Sequence, residues 1–198
     1  MGKFMVVIFT IVFLLAGCSR DEKSNEHNVK ESPIRSNAKV AEGDFVYRLV
    51  SEKSVYTESE KVEVYAELEY VGDEPEIKIA HADSPFYFPM KEKTRNYDIR
   101  YGMKEPLRVT VLKKGLPLRE RFTPHGGYSS EDQKEYVDYI KALWEASNKG
   151  TLLQGDYQVA GSAMFNPLNE SMVSQESLRL NAEIEFLVEK PENKNDKK

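Results

Sequence analysis

The chain has 198 residues and a single cysteine, with 28 basic residues against 33 acidic ones and a formal net charge of −5. The acidic balance argues against nucleic acid as a partner, because nucleic-acid binders present basic faces. One cysteine cannot form an internal disulfide, so a folded domain of about 145 residues must rest on core burial alone.

Lys3 precedes an uncharged apolar run, Phe4 to Gly17, that ends in small residues, the layout of a secretory leader. That run is about 14 residues long, and a helix needs roughly 20 to cross the hydrocarbon core, so residues 1–17 read as a signal peptide rather than a permanent span.

Leu15-Ala16-Gly17-Cys18 resembles the lipobox of bacterial lipoproteins. The resemblance implies cleavage before Cys18, diacylglycerol on its thiol and acylation of the freed amine. Two acyl chains suit stable anchoring, since one chain alone binds only marginally. The implied location is the extracytoplasmic face of the cell membrane, and the Lys-, Asn- and Glu-rich stretch that follows leans towards a Gram-positive envelope.

Ser19 to Glu42 is polar and without periodicity, so residues 18–42 read as a lipidated N-terminus and disordered tether. As a flexible coil those residues span about 27 Å, which keeps the following domain near the membrane. Residues 190–198, KPENKNDKK, read as a disordered tail.

Residues 43–189 carry strand patterns. Phe45 to Val50 alternates, and so does Lys61 to Val71, where Val62, Val64, Ala66, Leu68 and Tyr70 share one face and Glu63, Glu67 and Glu69 the other. Glu76 to Ala82 follows a Gly72-to-Pro75 turn. Phe86-Tyr87-Phe88 lies between Pro85 and Pro89, which confine it to an edge strand or loop. Tyr97 to Tyr101, Leu107 to Lys113 and Leu118 to Phe122 read as further strands, the second with Leu107, Val109 and Val111 on one face.

One helix is expected near 130–148. Ser130 and Gln133 match a capping box, Tyr136, Val137, Ile140, Leu143 and Trp144 form an apolar stripe with Trp144 as a core anchor, and Gly150 is the stop. Gly155 to Phe165 and Leu178 to Val188 are long alternating strands whose connection is long for a hairpin.

Seven or eight alternating strands and one helix predict a mainly β fold, an antiparallel β-sandwich with an inserted α-helix. The Leu152-x-x-Gly155-x-Tyr157 pattern resembles bacterial immunoglobulin-like sandwiches, including the proteinase-inhibitor type. That resemblance implies fold first and proteinase inhibition as one alternative function.

No nucleophile elbow, phosphate loop, dinucleotide-binding glycine pattern or calcium loop is present, so the expectation is a protein that is not an enzyme and has no cofactor. His81, Met90, Met103, His125 and Met164 are candidate soft and imidazole ligands. The 21 residues between Met103 and His125 resemble a spacing in periplasmic copper-binding sandwiches. The pattern then departs at Gly127 and Glu92, where that family has methionine and histidine, which leaves copper binding a second alternative and no metal residues assigned.

Phe86, Tyr87 and Phe88, with Tyr97 and Tyr101, are the candidate partner-binding surface, because aromatics among prolines offer rigid contact area. The leading reading is a lipid-anchored, non-catalytic binding or accessory module with an envelope protein as partner.

Overall fold

The computed structural model describes residues 34–124 and 126–191. The leader, the lipobox with Cys18, most of the tether, His125 and residues 192–198 lie outside the described residues. Twelve strands and one helix follow in order: β1 Asn37–Glu42, β2 Phe45–Ser51, β3 Val55–Thr57, β4 Val64–Tyr70, β5 Glu76–His81, β6 Phe86–Tyr87, β7 Met90–Glu92, β8 Tyr97–Ile99, β9 Arg108–Lys113, β10 Leu118–Arg121, α1 Lys134–Asn148, β11 Gly155–Leu168 and β12 Leu178–Glu189.

They form two open, largely antiparallel sheets, a β-sandwich with one inserted helix, as the alternating patterns predict. One sheet has the order β1-β2-β4-β10. The other runs β3-β12-β11-β5-β9, with β6 and β7 also on β11 and β8 on β7. The β3–β12 pair is its parallel member.

β11 organises the larger sheet. One edge pairs with β12 from Gly155↔Val188 to Phe165↔Leu178, so the two form a hairpin despite the long connection. The other edge takes β7, β6 and β5 in succession. Pro85 and Pro89 fit this arrangement because they contribute carbonyls rather than N–H groups: Met164 N–H donates to Pro85 C=O at 2.7 Å and Ala160 N–H to Pro89 C=O at 3.0 Å.

Between the sheets, Tyr47, Leu49, Ala66 and Leu68 meet Tyr157, Val159, Ala163, Ile184 and Phe186, all buried. The outer face of β2, β4 and β10 is charged. Arg48 bonds Glu69 at 2.7 Å, Arg119 pairs with Glu67 at 2.7 Å and lies 4.0 Å from the Tyr65 ring centroid, and Arg121 pairs with Glu63. The acidic face expected of β4 is therefore an ion-pair layer.

Three expectations are corrected. The tether is shorter than Ser19 to Glu42, because Asn37–Glu42 pairs with β2 and packs Ala38 and Val40 against the core. Two small apolar residues in a polar stretch are too weak a pattern to read as a strand. The helix starts at Lys134, and its N-cap Gln133 makes no side-chain cap bond. Ser130 is not the cap, since Asp132 instead holds Ser129 Oγ at 3.1 Å and Arg100 by two bonds of 2.6 and 2.7 Å, which fixes a turn there.

Trp144 is not a core anchor. It is 38 % exposed beside Tyr128, while Tyr139, Ile140, Leu143 and Ala146 form the buried stripe. The shared face of Leu107, Val109 and Val111 points to solvent, because β9 takes its phase from Leu112, which is buried opposite Ile77 of β5.

Candidate functional site

The aromatic segment proposed as a recognition surface is largely interior. Phe86 and Phe88 are fully buried: Phe88 stacks on Phe122 at 5.0 Å and Phe86 lies 6.2 Å from Tyr47. They cannot meet a partner without unfolding the sandwich. Alternation explains this, since β6 pairs with β11 and sends Phe86 inward with Ala163.

Tyr87, Tyr97 and Tyr101 are half-buried. The Tyr87 hydroxyl donates to Tyr101 C=O at 3.3 Å and the two rings meet edge to face at 4.7 Å. Burial, with Glu120 nearby, pushes the Tyr101 phenol up to about 12. Tyr97 packs on Tyr136 and Tyr139 of α1, each at 5.2 Å. These tyrosines dock the helix and the β7–β8 hairpin rather than forming one exposed patch.

Among the described residues the candidate ligands His81, Met90, Met103 and Met164 do not form one cluster. His81 ends β5 with Nδ1 2.8 Å from Ala82 C=O and Nε2 2.8 Å from Thr110 Oγ1, so both ring nitrogens are engaged. Met90 is buried in the core, whereas Met103 and Met164 line one 260 Å³ cavity with Tyr87. Among the described residues no three His, Cys, Asp or Glu side chains are grouped as a metal site.

The surface that does stand out lies on the outer face of β9, β5 and β11. Leu107 is 82 % exposed, Val109 48 % and Val111 44 %, and Met164 and Met172 are exposed across the face. Leu107, Val109, Met164 and Met172 line a groove of 550 Å³ floored by Ala80 and Leu168. Scattered apolar residues are ordinary on a surface, but a contiguous apolar strip is a mark of contact with something else.

The backbone adds a second feature. β9 ends its sheet. Lys114 N–H donates to Pro75 C=O at 2.9 Å. In an antiparallel ladder this makes Thr110 and Leu112 the residues bonded to β5, so Val109 and Val111 direct their N–H and C=O to the open edge. β10, the neighbouring edge strand in the other sheet, is protected by Arg119, Glu120 and Arg121, as solvent-facing edges usually are. β9 carries charge only at its ends, at Arg108, paired to Asp83 at 2.7 Å, and at Lys113.

The sequence showed that these residues share a face but not which side of the sheet that face takes. The available signal was the next residue, Leu112, which gives β9 two competing apolar phases. Compared with known proteins, the chain matches no family model, no curated protein and no solved structure. Fold and site together thus define a class, a two-sheet β domain with an apolar, hydrogen-bonding edge, and the function has to be argued from that edge.

Proposed function

We propose that this chain is a non-catalytic binding module, anchored through a lipidated Cys18 on the extracytoplasmic face of the cell membrane, that receives an extended segment of an envelope protein along β9. The observation that carries the reading is the apolar strip Leu107, Val109 and Val111 beside outward backbone N–H and C=O groups. Strand addition satisfies those groups while side chains of the incoming segment cover the strip.

The test is affinity capture from membranes with the full chain, its Cys18→Ser variant and its Val109→Glu variant, with mass spectrometry of bait and partner. The reading expects a diacylated Cys18 and one envelope protein retained by the parent chain and lost with Val109→Glu at unchanged melting temperature. An unmodified Cys18, or a partner indifferent to Val109→Glu, contradicts the anchor or the docking face respectively.

A further inference from the structure

A second site lies where α1 ends, and it does not depend on the β9 face. At the helix exit Gly150 adopts φ +77°, in the left-handed region that favours glycine, and Val62 N–H donates to Gly150 C=O at 2.9 Å. This ties the approach to β4 to the end of the helix. Between them and the end of β10 lies a 310 Å³ cavity, at the small end of the range for ligand pockets, about 300–1,000 Å³.

The cavity is amphipathic. Val62, Phe122 and Leu152, all buried, form its apolar floor, while Lys61, Lys149 and Arg121 stand around it, and no Asp or Glu lines it. Arg121 is engaged by Glu63 and Val62 C=O. Lys61 and Lys149 make no ion pair and no side-chain hydrogen bond among the described residues.

Two of the last helix carbonyls, those of Ala146 and Ser147, already have backbone donors. Ala146 C=O accepts from Lys149 N–H at 2.9 Å and from Thr151 N–H at 3.0 Å, and Ser147 C=O accepts from Gly150 N–H at 2.8 Å. These two carbonyls are therefore turned into the chain's own turn. What remains is a rim of two lysines over an apolar floor, Glu58 and Glu145 lining the adjoining groove rather than the cavity. An inorganic anion would leave the floor wet, and a neutral apolar molecule would leave the rim unused.

We infer that this cavity binds a carboxylate bearing a short apolar tail, with Lys61 and Lys149 on the carboxylate and the tail on Val62, Phe122 and Leu152. The same chemistry is supplied by a free short-chain fatty acid or by the C-terminus of a peptide whose last residue is apolar.

The experiment is calorimetric titration of the full chain with hexanoate, with acetate and hexanol as the charge-only and tail-only controls, and with a peptide ending in free leucine beside its amide. Hexanoate or the free peptide should bind at least about tenfold more tightly than acetate, hexanol or the amide. The Lys61→Ala/Lys149→Ala variant should lose at least about tenfold in affinity, its own melting temperature unchanged because neither side chain holds the fold.

Tighter binding of hexanoate than of the peptide assigns the free acid, and the reverse assigns the chain terminus. Absence of heat from both at millimolar concentration, or binding indifferent to the double substitution, overturns the inference.

Discussion

Glu92 sits with its side chain fully buried on β7, where the Thr94 and Arg95 N–H groups donate to it at 2.8 and 2.9 Å and the Arg95 guanidinium lies at 3.2 Å. A buried carboxylate persists only with such donors. Gly155 completes the niche, because a Cβ there would stand 2.6 Å from Glu92 Oε1. Gly155→Ala should destabilise the fold by about 1–3 kcal/mol, the range for overpacking, and a urea midpoint at the parent value would contradict this niche.

Two buried tyrosines make an opposite pair. The Tyr157 hydroxyl donates to Leu153 C=O at 2.7 Å and meets Tyr139 Oη at 3.1 Å, whereas the Tyr47 hydroxyl has no hydrogen-bond partner among the described residues. Burial pushes both phenols up. Tyr157→Phe should cost about 0.5–1.5 kcal/mol, while Tyr47→Phe should leave stability unchanged or raised, both read by urea denaturation. The importance of Tyr157 was legible in the Leu-x-x-Gly-x-Tyr pattern. Its hydrogen bonds were not, since Leu153 and Tyr139 are brought to it by the strand entry and the helix.

At the scale of elements, two titrations report on docking. The hydrogen-bonded Arg100 guanidinium and the Ser129 N–H hold the Asp132 carboxyl down to about 2. Its folded value is depressed below the ordinary Asp value of about 3.9, so its contribution is complete above about 3.9 and lost as pH falls through about 2. The emission of Trp144, which lies against Tyr128 5.2 Å away, should change across that window in the parent and not in Asp132→Asn.

Burial holds the His81 imidazole below its ordinary value. Stability from the neutral ring is then complete above about pH 6.5 and falls as pH drops below it, because the unfolded state binds the extra proton. Since His81 joins β5 to Thr110 of β9, the protection factors of β9 amides, taken relative to the intrinsic exchange rate at each pH, should fall below about pH 6.5, and His81→Gln should flatten that dependence.

β4, β5, β11 and β12 were legible because each buries one face and alternation marks it. The exposed side of β9 was not legible for a physical reason. Leu107, Val109 and Val111 alternate as a core strand does, yet Leu112 in the other phase fills the interior opposite Ile77. Local pattern cannot choose between two apolar phases when one is reserved for a surface contact. Likewise the buried stripe of α1 runs through Tyr139, Ile140, Leu143 and Ala146, which leaves Trp144 at its edge against Tyr128.

For the whole molecule, the outer faces of the two sheets differ in kind. One is laced by Arg48, Glu67, Glu69 and Arg119, and the other exposes Leu107, Val109, Val111 and Met164 beside an open strand edge. An unprotected apolar edge invites non-specific pairing, and natural sheets normally charge or cover it. A covering partner, as proposed above, would remove that hazard on β9.

The measurement that bears most directly on this account is site-specific photo-crosslinking in intact cells. A photoreactive residue replaces Val109 on the open edge of β9, or, as control, Lys39 on the opposite edge strand β1. The account predicts a discrete adduct with one envelope protein from position 109, absent from position 39 and from the Cys18→Ser background. Equal adducts from both positions, or none from position 109, would contradict the claim that β9 is the binding edge.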